Sequence, residues 1–285
     1  MTRPDIDVAE LRSVAEQLAA EAAEFVLARR ADLFGDGRPH DGDGTVGTKS
    51  TRTDPVTVVD TEAERLLRDR LATLRPGEAV LGEEGGGPRG SDQGVTWVLD
   101  PIDGTVNFLY GIPAYAVSVG VQVGGVSVAG AVADVTGCVV YSAGRGLGAH
   151  VADSSGSAKV LRCNPIDDLS MALVGTGFGY APPRRAAQAA VLAGVLPHVR
   201  DVRRIGSAAL DLCSVAAGRL DAHYEHGLNR WDWAAGALIA AEAGATVVLP
   251  RTDGPSLTVA SAPGIASDLL RLLERLGAGG ELPES

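Results

Sequence analysis

Asp100 and Asp103 lie three residues apart in Trp97-Val-Leu-Asp-Pro-Ile-Asp-Gly-Thr-Val-Asn-Phe108. An apolar run reads as the end of a buried strand that delivers them into a turn fixed by Pro101 and released at Gly104. Carboxylates held that close repel and raise each other's pKa unless positive charge lies between them. A divalent cation supplies that charge, and oxygen ligands favour Mg²⁺, Mn²⁺ or Ca²⁺ over zinc. Gly104-Thr105 opens a short helix whose first N–H groups suit an anion. One loop can therefore hold metal and phosphate side by side. An acidic surface turn accounts equally for two such aspartates taken alone.

Further carboxylates stand at similar boundaries. Glu83 and Glu84 follow the short strand Val80-Leu81, ahead of Gly85-Gly86-Gly87. Asp60 and Thr61 open a helix, and in the plainest reading one of them serves as its N-cap. Asp232, in Trp231-Asp232-Trp233-Ala-Ala-Gly236, sits in a first helical turn, where it favours the helix dipole or reaches a metal from the far side of the fold. Glu225 ends a strand seven residues earlier, as a surface residue or a second occupant of the same cleft. Gly206-Ser207-Ala208-Ala209 turns into a helix, as an ordinary cap or as a cradle for a hydroxyl or phosphate oxygen. The five histidines show no metal-ligand spacing, and no G-x-S-x-G or Cys/His nucleophile pattern is present. Gly175-Thr-Gly-Phe-Gly179 lacks the spacing of a dinucleotide loop.

The elements that must position these residues divide into two patterns. Val8–Ala31 is an amphipathic helix, residues 34–48 a Gly- and Asp-rich loop, and Glu62–Leu74 a second helix. From Tyr115 to Val151 the pattern is an antiparallel meander, with an edge strand at Val160–Cys163. After Asn164, strands and helices alternate, including helices at 207–217 and 231–243. The expected division is 1–165, an α+β half with most of the acidic residues, and 166–285, an α/β half that completes the site.

The chain has 285 residues, 45% of them hydrophobic, and a net charge of −11, which argues against an unaided nucleic-acid binder. Three unpaired cysteines and no apolar leader or span point to a reducing, cytoplasmic setting and no membrane association.

The ordered set of a carboxylate motif before the first sheet, the G-E-E loop, D-P-I-D-G-T and a late W-D-x-A-A-G resembles the inositol monophosphatase family, Mg²⁺-dependent and lithium-sensitive phosphatases, over nearly the whole chain. The stretch Arg203-Arg-Ile-Gly-Ser-Ala-Ala-Leu-Asp-Leu-Cys213 is similar to its bacterial, in particular actinobacterial, members. The resemblance implies a layered α-β-α-β-α sandwich, a homodimer, and hydrolysis of a phosphate monoester, myo-inositol 1-phosphate first, by metal-activated water. It implies two or three Mg²⁺ ions, replaceable by Mn²⁺ and inhibited by Li⁺. Glu83, Asp100 and the Ile102 carbonyl would hold the first, Asp100, Asp103 and Asp232 the second, and a looser third would touch Glu83. Thr105 and Asp60 would position the water, with Asp54 in the same acidic network and Lys49 at its edge. Gly104 and Thr105 would bind phosphate; Gly206, Ser207, Ala208 and Glu225 would face the inositol hydroxyls, with Asp103 and Asp232 also in reach. One departure is Tyr180, where animal members carry a serine near the ring; it bears on substrate preference. The rival readings are a sister phosphatase (acting on fructose 1,6-bisphosphate, histidinol phosphate or 3′-phosphoadenosine phosphate) and a non-catalytic role with RNA polymerase.

Overall fold

The computed structural model of the chain describes residues 6–35, 45–49, 55–88, 94–250, 256–280 and 283. Asp7 starts the first layer: its carboxylate accepts the N–H groups of Ala9 and Glu10, each at 3.0 Å, and α1 (Val8–Phe34) runs from there to Gly35. A two-stranded pair, β1 (Val46–Thr48) with β2 (Pro55–Thr57), leads into α2 (Val58–Leu74). Leu11, Leu18 and Val26 of α1 and Val59, Leu67 and Leu71 of α2 bury one face of the two helices against the first sheet.

That sheet has seven strands in sequence order: β3 (Ala79–Gly82), β4 (Val95–Asp103), β5 (Ala116–Val123), β6 (Val126–Asp134), β7 (Val139–Gly144), β8 (Ala149–Asp153) and β9 (Ala158–Val160). Only β3 and β4 are parallel; the rest form a meander. The short helix α3 (Thr105–Tyr110) follows β4. The central strands are apolar on both faces because helices cover both.

The remaining elements are β10 (Leu173–Thr176), α4 (Pro182–Val195), β11 (Asp201–Arg203), α5 (Ala208–Ala216), β12 (Ala222–His226), α6 (Arg230–Trp233), α7 (Gly236–Glu242), β13 (Thr246–Val248), β14 (Leu257–Ser261) and α8 (Pro263–Arg275). The second sheet runs β11-β10-β12-β14-β13, with β10 parallel to both its neighbours and β14 antiparallel to both of its own. Helices α5, α6 and α7 form the middle layer. Leu210, Cys213 and Ile239 pack toward the first sheet, and Leu212, Trp233 and Ala237 join a cluster that holds Leu81 and Val98 of the first sheet and Ala260 of the second. Helices α4 and α8 close the far side. The result is the expected α-β-α-β-α sandwich. No helix among the described residues is long and apolar enough to cross a membrane.

Close approach at the middle layer depends on two glycines. Gly120 of β5 pairs with Gly130 of β6. A Cβ at Gly120 would stand 2.6 Å from Ala234 Cβ, and one at Gly130 3.0 Å from Ala235 Cβ. The dent these glycines leave receives the α6–α7 junction.

Several elements differ from the sequence expectation. Helix α1 runs one turn further, to Phe34, and Val46–Thr48 is a strand because it finds β2 as a partner; residues 36–44 lie outside the described residues. The α2 helix begins at Val58, four residues before the expected Glu62, so Thr57 rather than Asp60 or Thr61 is the N-cap. Asp60 is the third helical residue of a capping box, reaching back to Thr57. The edge strand is Ala158–Val160 rather than 160–163. The helix expected at 231–243 is two helices, broken at Ala234-Ala235 where the chain meets the dent. Strand β4 continues through Pro101 to Asp103 instead of stopping at Asp100.

Candidate active site

The extension of β4 aims its aspartates. Asp100 pairs with Ser118 and Asp103 with Ala116, so β4 spends one residue more than β5 across this step. Such a bulge re-aims side chains. Asp100 Oδ1 accepts the Ile102 N–H at 3.1 Å. Asp103 Oδ2 accepts the Ser207 hydroxyl at 2.6 Å and the Ala209 N–H at 2.7 Å, which ties it to the start of α5. Asp232, third residue of α6, accepts the Asn229 N–H at 2.6 Å. One ligand oxygen from each of Asp100, Asp103 and Asp232 falls within 4.8 Å of the others.

Glu83 enters the same cleft from the end of β3, where its N–H donates to the Leu99 carbonyl at 3.1 Å. Lys49 Nζ lies 2.9 Å from Glu83 Oε1 and 2.5 Å from Glu84 Oε1. The loop itself is held from behind by Glu64, a buried acid that accepts the N–H groups of Glu84 at 2.7 Å and Gly85 at 2.9 Å and pairs with Arg68.

Thr105 Oγ1 lies 3.2 Å from Asp60 Oδ1 and 3.1 Å from the Ile102 carbonyl, so its hydroxyl proton has two acceptors. Asp60 is fully buried behind Thr105 and also takes hydrogen bonds from the Thr57 N–H and hydroxyl. Gly104 has φ 98°, and a Cβ there would stand 3.0 Å from the Ala114 carbonyl, so this turn requires glycine. Asn107 braces it, donating to the carbonyls of Ala114 and Ile205.

The electrostatics share one cause. Burial, then repulsion from the neighbouring acids, pushes Asp100 and Asp232 well above the ordinary carboxylate range. Burial also raises Asp103, although Ser207 and Ala209 work against it. Glu83 is pushed to about 7 by burial despite Lys49, and Asp60 to about 6 by burial despite Thr57. Burial opposes the Lys49 charge, but Glu83 and Glu84 outweigh it and hold that charge on. A pocket of clustered oxygen donors, each resisting ionisation for want of positive charge, has the chemistry of a hard divalent cation site.

The cleft has a volume of about 650 Å³. Gly206, Ser207, Ala208, Glu225, Arg204 and Tyr180 also line it. Burial pushes Glu225 to about 8. The structure thus brings together Glu83, Asp100, Ile102, Asp103, Gly104, Thr105, Gly206, Ser207, Ala208, Glu225 and Asp232 on one cleft, with Asp60 behind it. Asp54 lies outside the described residues. The N-terminus of α5, read as a cradle for a ligand oxygen, is turned on Asp103 instead: an internal carboxylate already occupies the anion position. Sequence reasoning missed Arg204, Asp211 and Glu64. Glu64 had a signal, since an acid one turn after Asp60 falls on the buried face of α2 beside Ala63 and Leu67.

Comparison with known proteins agrees with this geometry. The model of the inositol monophosphatase family matches residues 7–278. Inositol-1-monophosphatase SuhB of Mycobacterium tuberculosis is 66% identical over 292 residues, covering 100% of both chains. The solved structure of Mycobacterium tuberculosis SuhB superimposes with a TM-score of 0.83 at 62% identity, covering 97% of this chain and 100% of that one. A more distant relative, the Nus factor SuhB of Vibrio cholerae, is 39% identical over 201 residues, 70% of this chain and 73% of its own. With the match running from end to end, the chain belongs to the inositol monophosphatase family of phosphatases.

Proposed function

We propose that this cleft hydrolyses the phosphate monoester of a cyclic polyol, myo-inositol 1-phosphate first, with Mg²⁺ as cofactor. The supporting observation is the convergence of Asp100, Asp103 and Asp232 within 4.8 Å in a cleft that Glu225 and Arg204 also line. Glu83, Asp100, Asp103, Asp232 and the Ile102 carbonyl are the oxygen donors that would hold the metal. When bound, Mg²⁺ supplies Lewis-acid stabilisation of charge on the phosphoryl and leaving oxygens and lowers the pKa of a water.

The chain's own groups do the rest. Asp60 Oδ1 takes the Thr105 hydroxyl proton in a hydrogen bond, which leaves the Thr105 Oγ1 lone pairs to accept from, and orient, the attacking water. The N–H groups of Gly104 and Thr105 hold phosphate oxygens. Glu225 receives the polyol hydroxyls, and Gly206, Ser207 and Ala208 line the same cleft.

The test is phosphate release from inositol 1-phosphate during a Mg²⁺ titration, with fructose 1,6-bisphosphate, histidinol phosphate and 3′-phosphoadenosine 5′-phosphate in parallel. Mg²⁺-dependent turnover that prefers inositol 1-phosphate is expected. Preference for another ester overturns the substrate, and no turnover of any ester overturns the reaction. A second reading draws on the relative named a Nus factor: a role beside RNA polymerase. Polymerase that co-purifies with an Asp103→Asn variant supports that role, and its absence removes it.

A further inference from the structure

His223 lies in the middle of β12 with no exposed surface, and neither ring nitrogen has a hydrogen-bond partner. The ring is not among apolar neighbours alone. Its Nδ1 is 3.6 Å from Asp211 Oδ2 and its Nε2 is 3.6 Å from Glu225 Oε2. Asp211 Oδ1 is likewise buried without a partner. Three polar side chains from α5 and β12 therefore form a line, with Asp211 and Glu225 both on the cleft lining and His223 buried between them.

Space for this line is made by Gly175 and Gly177. Gly175 pairs with His223 across β10 and β12. A Cβ at Gly175 would stand 3.1 Å from His223 Nδ1 and 3.2 Å from Asp211 Oδ1. One at Gly177 would overlap the Glu225 carboxylate. These glycines serve no dinucleotide; they leave room for the three side chains.

We infer that His223 is a positioning residue: bridging Asp211 and Glu225, it holds the Glu225 carboxylate toward the polyol hydroxyls of the substrate. This rests on the reading of Glu225 given above. Burial keeps the imidazole neutral, lowering its pKa to about 3. A neutral ring has one N–H and one bare nitrogen, so one of the two flanking carboxyl groups must donate. Asp211 is the deeper of the two, with its side chain 2% exposed against 13% for Glu225. Its proton goes to Nδ1, and the ring offers Nε2–H to Glu225. The line tightens when a substrate hydroxyl engages the far oxygen of Glu225, as hydrogen bonds in an unliganded site commonly do.

The test is a double-mutant cycle on purified protein, joined to a measurement on the unaltered chain. His223→Phe and Glu225→Gln should each raise KM for inositol 1-phosphate roughly tenfold, the loss of one good hydrogen bond, with kcat little changed. The double variant should be no worse than either single one. KM for p-nitrophenyl phosphate, which has no polyol, should not follow. Additive effects, or an equal rise for p-nitrophenyl phosphate, overturn the proposal. Should His223→Phe fail to fold, ¹⁵N NMR of wild-type His223 decides alone: a single neutral tautomer with the proton on Nε2 is expected, and an imidazolium at neutral pH or a proton on Nδ1 overturns it. That measurement needs no substrate, so it stands apart from any failure of wild-type protein to hydrolyse inositol 1-phosphate.

Discussion

Asp103 has two duties. Its Oδ2 is bound to Ser207 and Ala209 at the start of α5, while the same carboxylate belongs to the acidic trio. Asparagine at 103 keeps an oxygen that accepts from α5 but loses the charge. Asp103→Asn should therefore fold with a near-native melting temperature and lose about 10²–10³-fold or more in kcat, the scale of removing one electrostatic group from a preorganised site. Near-native turnover would take Asp103 out of the metal site. Glu83→Gln should shift the Mg²⁺ titration to higher concentration, and an unchanged titration would take Glu83 out. At this scale the sequence was informative for Asp100 and Asp103, which follow the apolar run of β4, and for Asp232 in the first turn of α6. Asp211 and His223 were not legible, because they lie twelve residues apart on two different elements and only the β10–β12 pairing shows why space exists between them.

The elements hold these groups through few bonds. Glu64 on α2 anchors the loop that carries Glu83 by accepting two N–H groups. Glu64→Ala removes both hydrogen bonds, to half-buried Glu84 and exposed Gly85, at a cost of about 1 kcal/mol each. The expected result is a clear fall in melting temperature together with weaker Mg²⁺ dependence. A destabilised variant with an unchanged Mg²⁺ titration would show that Glu83 keeps its place without this anchor. The capping box at Thr57 offers a contrast, since Thr57→Ala should cost about 1 kcal/mol of stability and also free Asp60, slowing kcat measured at saturating substrate. The meander and the alternating α/β half were legible from period and glycine spacing. The bulge in β4 was not, because Pro101 reads locally as a turn and only pairing with β5 carries the strand past it. Nor was the break between α6 and α7, which is imposed by Gly120 and Gly130 on a different sheet.

For the whole molecule, the buried acids set how stability depends on pH. Asp60 titrates at about 6 in the fold against an ordinary 3.8, and Glu225 at about 8 against 4.5. Between those values the folded chain holds protons that the unfolded chain has released. Stability therefore falls as pH rises through this window. In chelator, the melting temperature should be higher at pH 5.5 than at pH 8; the reverse order would mean that these carboxylates ionise in the fold without cost. Adding Mg²⁺ at pH 8 should restore about 2.7 kcal/mol at a hundredfold excess over its dissociation constant, read as a rise in melting temperature. The acidic trio also has a history in time. Asp100 and Asp103 come from a strand in the first sheet, and Asp232 from a helix wedged against that sheet 129 residues after Asp103. At roughly 5–20 residues per second of synthesis, the ribosome delivers the third acid about 6–26 seconds after the second. Until it docks in the dent at Gly120 and Gly130, the growing chain has two acids of the three, so this trio is the last part of the cleft to assemble.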